Sequence, residues 1–420
     1  MSFEWPLVRL GDHVDACLGK MLDAKKNKGI SQPYLGNSNV RWGKFDLANL
    51  AEMRFEAHEE ERYSLRLGDL VVCEGGEPGR CAIWIGPTGM KIQKALHRIR
   101  PKDGFDNYYL FYWLRHVAIT ESLESSFTGT TIKHLTGKAI AALVLPQPPI
   151  RVQRAIADVL KQLDDRITLL RETNTTLEAI AQALFKSWFV DFDPVRAKME
   201  GRVPEGMDEA TAALFPDGFE ESELGLVPKG WRVRALDEIA NFLNGLALQK
   251  FPPSEDSWLP VIKIAQLRKG DTVGADRAGR NLKPEYVIQD GDVLFSWSGS
   301  LEVEVWCGGE GALNQHLFKV TSEHYPKWFY FHWTRYHLES FRQIAASKAT
   351  TMGHIQRAHL SQAKVIIPPA EMLATKCGAF AALLEKCVAN ELQATTLSTL
   401  RDTLLPRLIS GQLRLNSQEA

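Results

Sequence analysis

The sequence lacks any marked excess of charge, because 50 lysines and arginines face 51 aspartates and glutamates and leave a formal net charge of −1. Whole-chain electrostatics therefore do not indicate nucleic acid, an anionic membrane or an acidic substrate as a partner. Long apolar runs are also missing, since the longest uncharged apolar run, 139–145, is far too short to cross a bilayer. The first residues do not show the basic and then apolar pattern of a signal peptide, so we predict a cytoplasmic protein.

Cysteine is scarce, and the motifs of common catalytic and cofactor sites are missing. The six cysteines form no Cys-x-x-Cys pair and have no histidine at zinc-ligand spacing. We interpret them as buried or incidental thiols, with a metal or disulfide role as the alternative. P-loop, dinucleotide-binding, His-Glu-x-x-His and Asp/Asn-Pro-Pro-aromatic methyltransferase motifs are all lacking, and the run 58–61 resembles a charged loop more than a metal site. We predict a non-catalytic chain without a metal or cofactor of its own.

An internal repeat organises the chain. Five short motifs of the first half return in the same order in the second half, and their spacing drifts by only a few residues. The pairs are Trp5-Pro-Leu-Val-Arg-Leu with Trp231-Arg-Val-Arg-Ala-Leu, Gly68-Asp-Leu-Val with Gly291-Asp-Val-Leu, Phe111-Tyr-Trp with Phe331-His-Trp, Thr130-Thr-Ile-Lys-His with Thr350-Thr-Met-Gly-His, and Pro148-Pro with Pro368-Pro. This pattern predicts one duplicated module with small loop insertions.

Each module begins with a domain of mixed composition that a Pro-Pro pair closes. The domains 1–149 and 225–369 combine short β-like runs, Gly-containing turns and one aromatic helical stretch, which is typical of a compact α/β (α+β) fold. Ten acids and only three bases lie between residues 191 and 223, so we predict that 194–224 is a solvated acidic linker.

Beyond each Pro-Pro pair, apolar residues follow the heptad spacing of a coiled-coil helix. We predict long helices over 150–193 and 370–412 that pair antiparallel and separate two globular heads, with a seam of about 35 residues on the order of 50 Å long. Asn174 and Asn390 interrupt the seam and either fix its register or face solvent. The other seam positions are Ile156, Leu160, Leu163, Ile167, Leu170, Leu177, Ala181, Leu184, Trp188, Phe380, Leu383, Cys387, Ala394, Leu397, Arg401, Leu404 and Leu408.

Local charge differs from the average over the chain. Residues 80–102 contain six lysines and arginines and no acid, and residues 327–364 contain six against one glutamate, together with four histidines. Basic side chains beside hydroxyl, amide and aromatic residues suit a DNA surface, because phosphates accept from cations while base edges pair with Arg, Asn and Gln. A solvated charged face is the alternative.

Three motifs resemble the specificity subunit of type I restriction-modification systems. They are the opening Trp5-Pro-Leu-Val-Arg-Leu-Gly, the segment Ser187-Trp-Phe-Val-Asp-Phe-Asp-Pro-Val that closes the first helix, and Leu404-Leu-Pro-Arg-Leu-Ile-Ser-Gly-Gln-Leu that closes the second. The paired heads, each followed by a long helix, fit the same family. The resemblance covers essentially the whole chain.

The resemblance implies a function and a set of partners. In this family the two heads are target recognition domains for the halves of a bipartite, asymmetric site on double-stranded DNA. The helices set the gap between the halves and dock two methyltransferase (modification) subunits. Those partners are similar to adenine methyltransferases that use S-adenosylmethionine, and a separate restriction motor-nuclease subunit uses ATP and Mg²⁺.

Recognition domains vary with their target, so the resemblance assigns no individual base-contacting residue. We select loop residues whose side chains suit direct contact with bases, and rank the two Thr-Thr pairs highest because both copies keep them; a turn or capping role is the alternative for each. The aromatic residues Phe111, Trp113, Phe331 and Trp333 are assigned to the cores of the heads. The candidates are Asn37, Asn39, Arg41, Arg80, Thr130, Thr131, Lys133 and His134 in the first head, and Lys263, Gln266, Ser298, Asn314, Gln315, Thr350, Thr351 and His354 in the second.

Two alternatives to a DNA-recognition subunit remain open at this point. The first is a helical scaffold that joins two protein-binding heads and does not bind DNA. An autonomous methyltransferase with a divergent active site is the second, and methyl transfer by the purified chain alone would establish it.

Overall fold

A computed structural model describes residues 5–23, 27–102, 104–120, 122–129, 133–347, 353–375 and 378–415. The chain forms two compact units, one of residues Met1–Arg166 with Leu397–Ala420 and the other of residues Ile167–Thr396. No helix among the described residues is long and apolar enough to cross a membrane.

The first unit is built around a four-stranded antiparallel sheet with the order β2-β10-β7-β8. A second sheet, β6-β3-β9, contains one parallel pair, and β1 pairs with β11 at the end of the domain. The elements up to the long helix are β1 Leu7–Arg9, α1 Leu10–His13, β2 Val14–Leu18, β3 Ile30–Leu35, β4 Val40–Arg41, β5 Lys44–Phe45, β6 Ala51–Phe55, α2 Glu60–Tyr63, β7 Leu70–Cys73, β8 Cys81–Ile83, β9 Lys91–Ile92, β10 Leu96–Pro101, α3 Asn107–Ile119, α4 Gly137–Ala142, β11 Val144–Pro146 and α5 Ile150–Phe189.

Strand β7 lies between two hydrophobic cores. Its four residues are completely buried, and because side chains of a strand alternate between its faces, Leu70 and Val72 enter one core while Val71 and Cys73 enter the other. The aromatic helix α3 covers the first of these faces with Phe111 and the residues around it. The apolar run after Gly68-Asp69 is therefore a central strand buried on both faces.

The second unit repeats this topology. Its four-stranded sheet has the order β15-β22-β19-β20, its mixed sheet has the order β17-β16-β21-β18 with one parallel pair, and β14 pairs with β23. The remaining elements are α6 Asp193–Met199, α7 Glu209–Ala212, β12 Phe219–Ser222, β13 Gly225–Pro228, β14 Arg232–Ala235, α8 Leu236–Ile239, β15 Asn241–Asn244, β16 Trp258–Ile262, α9 Ile264–Lys269, β17 Arg277–Gly279, β18 Val287–Ile288, β19 Val293–Ser296, β20 Val303–Val305, β21 Gly311–Leu313, β22 Leu317–Thr321, α10 Lys327–Ser347, α11 Arg357–Gln362, β23 Lys364–Ile367, α12 Ala370–Thr375 and α13 Gly378–Ile409.

The two heads confirm the predicted duplication and the mixed α and β fold. Strand β19 corresponds to β7, since Val293 and Phe295 enter one core and Leu294 enters the other. The aromatic helices α3 and α10 both pack on the four-stranded sheets, and all four aromatic residues predicted for the head cores, Phe111, Trp113, Phe331 and Trp333, are buried.

The long helices α5 and α13 are antiparallel in each unit. In the second unit, Asn390 Nδ2 donates to Asn174 Oδ1 at 2.9 Å, and Asn174 Nδ2 donates to the carbonyl oxygen of Cys387 at 2.9 Å. In the first unit, the Asp164 carboxylate accepts from Arg401 and, at 2.8 Å, from the Tyr112 hydroxyl. The two asparagines therefore bond to each other instead of facing solvent.

The predicted seam positions lie on the covered side of both helices. Ile156, Leu160, Ile167, Leu170, Asn174 and Phe380 are buried. The half-buried seam residues are Leu163, Leu177, Leu184, Leu383, Leu397 and Leu404.

Helix limits and the acidic linker differ from the prediction. Helix α5 ends at Phe189 because the chain turns at Phe192, whose φ is 57°, and α13 begins at Gly378 after the separate helix α12. The segment 194–224 is not a simple solvated linker, since it contains α7, β12 and most of α6. Two of its apolar residues, Val195 and Phe215, are buried in the core of the second head, whereas Met199, Val203 and Leu224 are exposed.

Candidate nucleic-acid interface

Three segments meet at one edge of the first head. They are the loop 74–79 after β7, the turn 93–95 before β10 and the segment 133–136. The backbone N–H of Glu74 donates to the carbonyl oxygen of Ala95 at 2.8 Å, and Leu135 N–H donates to the Glu74 carbonyl at 2.7 Å. The loop 74–79 begins at the end of β7. Because β7 packs in two hydrophobic cores, the start of this loop is fixed in position.

Asn37, Arg80 and His134 lie together at this edge. Asn37 Nδ2 donates to the Gly75 carbonyl oxygen at 2.9 Å, and Arg80 Nη2 donates to the Asn37 carbonyl at 3.0 Å. A Cβ atom on Gly75 would lie 3.2 Å from His134 Nδ1. Among the described residues, Asn37 Oδ1 and Arg80 Nε are buried without a hydrogen-bond partner. The edge therefore holds one unsatisfied acceptor and one unsatisfied donor, and base edges present groups of both kinds.

Asn39, Arg41 and Lys133 have different surroundings. Asn39 Oδ1 accepts from Gly36 N–H at 2.9 Å and caps a short 3₁₀ turn, which is the structural alternative considered above. Arg41 donates to the Ser38 carbonyl at 2.6 Å, and Lys133 pairs with Glu124 at 2.5 Å. Thr130 and Thr131 lie outside the described residues.

The second head assembles the same three segments. Trp297 N–H donates to the His316 carbonyl at 3.3 Å, and Ile355 N–H donates to the Trp297 carbonyl at 3.0 Å. These bonds correspond to those of Glu74 and Leu135 in the first head. The two edges therefore share a backbone arrangement.

Four candidates of the second head lie at this edge. Ser298 Oγ is 3.0 Å from His316 Nδ1, and Gln315 Nε2 is 3.4 Å from the other ring nitrogen. Asn314 Oδ1 accepts from the His316 N–H at 3.2 Å, and the His354 ring lies 6.3 Å from that of Trp297. Amides, a hydroxyl and imidazoles supply both donors and acceptors for base edges.

Gln266 and Lys263 are not part of this group. Gln266 is 6% exposed and its Oε1 caps the N–H of Lys263 at 3.3 Å, so it has a structural role. The Lys263 ammonium pairs with Asp276. Thr350 and Thr351 lie outside the described residues.

Sequence reasoning missed residues that the fold brings to these edges. Lys94 is exposed and corresponds to Gln315, since its N–H donates to the Lys20 carbonyl as that of Gln315 donates to the Leu246 carbonyl. His316 was also missed. Alignment of the two copies could have identified these residues from the sequence. It pairs the turns before the last strands of the two four-stranded sheets, Gln93-Lys-Ala and Asn314-Gln-His.

The basic stretches contribute less to the surface than their sequence suggests. In the first stretch, the Lys91 ammonium pairs with Glu60, Arg98 donates to Asp15 at 2.6 Å, and Arg100 forms a bidentate pair with Asp69. In the second stretch the pairs are Arg335 with Glu178, Arg342 with Glu302 and Lys364 with Glu223. These six cations pair with acids of the same fold, so each stretch carries less unpaired positive charge than its sequence suggests, and its role in a DNA surface stays a prediction.

Acids and thiols elsewhere are also engaged in the fold. The ligand atoms of Glu56, His58 and Glu59 lie within 4.8 Å of one another, but the Glu59 carboxylate already accepts from Lys20 and from the Glu56 N–H. Burial raises the pKa of Cys73 to about 11 and that of Cys307 to about 12, so both thiols are protonated at neutral pH.

Comparison with known proteins agrees with this architecture. A crystal structure of a type I restriction-modification system S subunit from M. genitalium superimposes with a TM-score of 0.55 at 16% identity, covering 97% of this chain and 96% of that one. This similarity concerns the fold alone.

Two proteins of similar sequence are also named as type I restriction enzyme specificity subunits. The type I restriction enzyme MjaIX specificity subunit of Methanocaldococcus jannaschii is 27% identical over 84% of this chain and 80% of its own length. The HindI specificity subunit of Haemophilus influenzae is 26% identical over 67% and 72%. The family model for the type I restriction modification DNA specificity domain matches residues 4–179 and 228–393, once in each half. The chain therefore belongs to the specificity subunits of type I restriction-modification systems.

Proposed function

We propose that this chain recognises a bipartite, asymmetric site on double-stranded DNA, with one half-site for each head. The observation that carries the proposal is the pair of equivalent three-segment edges. They have the same backbone bonds but different side chains, such as Lys94 against Gln315 and Ala95 against His316. Because different side chains select different bases, the two half-sites should differ in sequence.

The same proposal includes the assembly. The chain would position two adenine methyltransferase subunits and the restriction motor subunit without catalysing a reaction itself. S-adenosylmethionine, ATP and Mg²⁺ would be bound by those partners in the cytoplasm. Membership in the specificity-subunit family supports this assignment, because such a subunit contributes the recognition step to a larger enzyme.

Filter binding of the purified chain to mixed-sequence duplex tests the DNA part. We expect affinity to fall steeply as salt rises, because cations that contact phosphates release counterions. Affinity that does not change with salt would contradict DNA binding and favour a protein-binding scaffold. Methylome sequencing of the host with and without the protein would then give the two half-sites and the methylated adenines.

A further inference from the structure

A groove in the second head lies outside the candidate DNA edge. The end of α5, one side of α10 and the hairpin β12–β13 enclose it, and its volume is about 590 Å³. Phe189, Trp333 and Val227 contribute to its lining from these three elements. No candidate DNA-contacting residue within the described ranges lines it.

The walls of the groove expose large apolar side chains. Leu226 is 63% exposed, Leu224 is 47% exposed, and Tyr336 of α10 is 48% exposed. Exposed apolar residues that cluster beside a cavity, as distinct from single scattered ones, are typical of a protein-binding surface.

A residue that lines the groove has a buried donor without an acceptor in the described part of the chain. Trp333 is 2% exposed, and no described residue accepts a hydrogen bond from its indole N–H. Buried indole N–H groups normally have a partner, since an unsatisfied donor costs free energy that a new acceptor recovers. A ligand whose carboxylate or carbonyl oxygen displaces the side chains that cover this N–H would satisfy it.

The charged residues that line the groove are all cations. Arg196 donates through Nε to the Asp191 carbonyl at 2.9 Å, and it forms no ion pair with a carboxylate of the described residues. Lys364 is the second lining cation and pairs with Glu223 at 3.4 Å. No acid is present among the described lining residues. An acidic ligand is therefore complementary in charge.

We propose that this groove binds an acidic amphipathic segment of a partner protein. Its apolar side chains cover Leu224, Leu226 and Tyr336, and its carboxylate or carbonyl oxygens accept from Trp333 and Arg196. The proposal does not depend on DNA binding, because the described residues of the groove and of the candidate DNA edge do not overlap.

Binding of a synthetic acidic, amphipathic peptide to the full chain tests the proposal. Its leucines recur at helical spacing and its other positions are glutamate and glutamine. We expect calorimetric binding and a shift of one ¹⁵N-indole signal, which the Trp333→Phe variant identifies by losing it. The same peptide with lysine in place of each glutamate should bind much more weakly.

Two matched pairs of variants locate the binding. Leu226→Glu should weaken peptide binding by at least about tenfold, because it removes the burial of one leucine on binding. Leu67→Glu changes another exposed leucine, in the first head, and should have no effect on peptide binding. Arg196→Gln should weaken binding by about threefold, as expected for an exposed ion pair, and Arg202→Gln, outside the groove, should not.

Three results would overturn the proposal. They are equal affinity for the acidic and basic peptides, equal effects of Leu226→Glu and Leu67→Glu, and an unmoved Trp333 indole signal at saturating peptide. Each variant is also assayed for duplex binding. Failure of the wild-type chain to bind duplex DNA would contradict the function proposed above and would leave the proposal for the groove unaffected.

Discussion

At the scale of the residue, Glu304 is an acid in an unfavourable place. Burial, with a smaller contribution from the neighbouring carboxylates Glu178 and Glu302, raises its pKa from the ordinary 4.5 to about 7. The nearby Arg335 and Arg342 lower it only in part, since each pairs with one of those other acids. The folded protein therefore binds a proton at Glu304 that the unfolded chain releases between these pH values.

The free energy of unfolding should consequently fall as the pH rises from about 4.5 to about 7 and then stay constant with respect to this group. Glu304→Gln removes the ionisable group. We expect it to stabilise the protein by about 1–3 kcal/mol at pH 8 and by much less at pH 5. Thermal unfolding at both pH values measures the difference, and an equal shift at both would contradict the assigned pKa.

At the scale of the element, the Asn174–Asn390 pair gives the seam between α5 and α13 a polar layer. Each side chain is nearly or fully buried, and each amide has its partner on the opposite helix. Such a layer lowers stability relative to an apolar one but restricts the helices to one register.

Single and double substitutions separate these effects. Asn174→Leu alone leaves the other asparagine buried with unsatisfied groups, so we expect a loss of about 1–3 kcal/mol in urea unfolding. The double variant Asn174→Leu with Asn390→Leu should be more stable than either single variant. Additive losses in the double variant would show that the two side chains do not act as a pair.

Much of the element scale could be predicted from the sequence. The duplicated motifs and the heptads are local patterns, so the two heads and the antiparallel helices follow from them. The ion pairs could not be predicted, because Lys91 and Arg98 find Glu60 and Asp15 through the tertiary fold. The same holds for the edge of each head, where the turns at Lys94 and Gln315 approach loops distant in sequence.

At the scale of the whole molecule, a repeated close approach of the backbone offers a test of independent heads. A Cβ atom on Gly19 would lie 2.4 Å from the Gln93 carbonyl oxygen, and one on Gly245 would lie 2.2 Å from that of Asn314. Neither position can accept a methyl group without moving the turn that carries Lys94 or Gln315.

We therefore expect Gly19→Ala to impair recognition of one half-site and Gly245→Ala to impair the other. Binding to duplexes with one half-site scrambled at a time, once the site is known, measures this. Gly274→Ala is the control for substitution of a glycine with open space around it, although its positive φ adds local strain. Loss of both half-sites from one alanine would argue against independent heads.

The strand shared by two cores also has a dynamic consequence. Separation of β7 or β19 from its neighbours would expose apolar side chains on both faces of the strand. A strand that contacts a single core would expose apolar side chains on one face only. Amide hydrogens of these two strands should accordingly exchange with solvent among the slowest in the protein, while the loops that follow them exchange rapidly. In each head, a loop with fast amide exchange would thus directly follow the strand with the slowest amide exchange. Substitutions in the loop would leave the slow exchange of the strand unchanged.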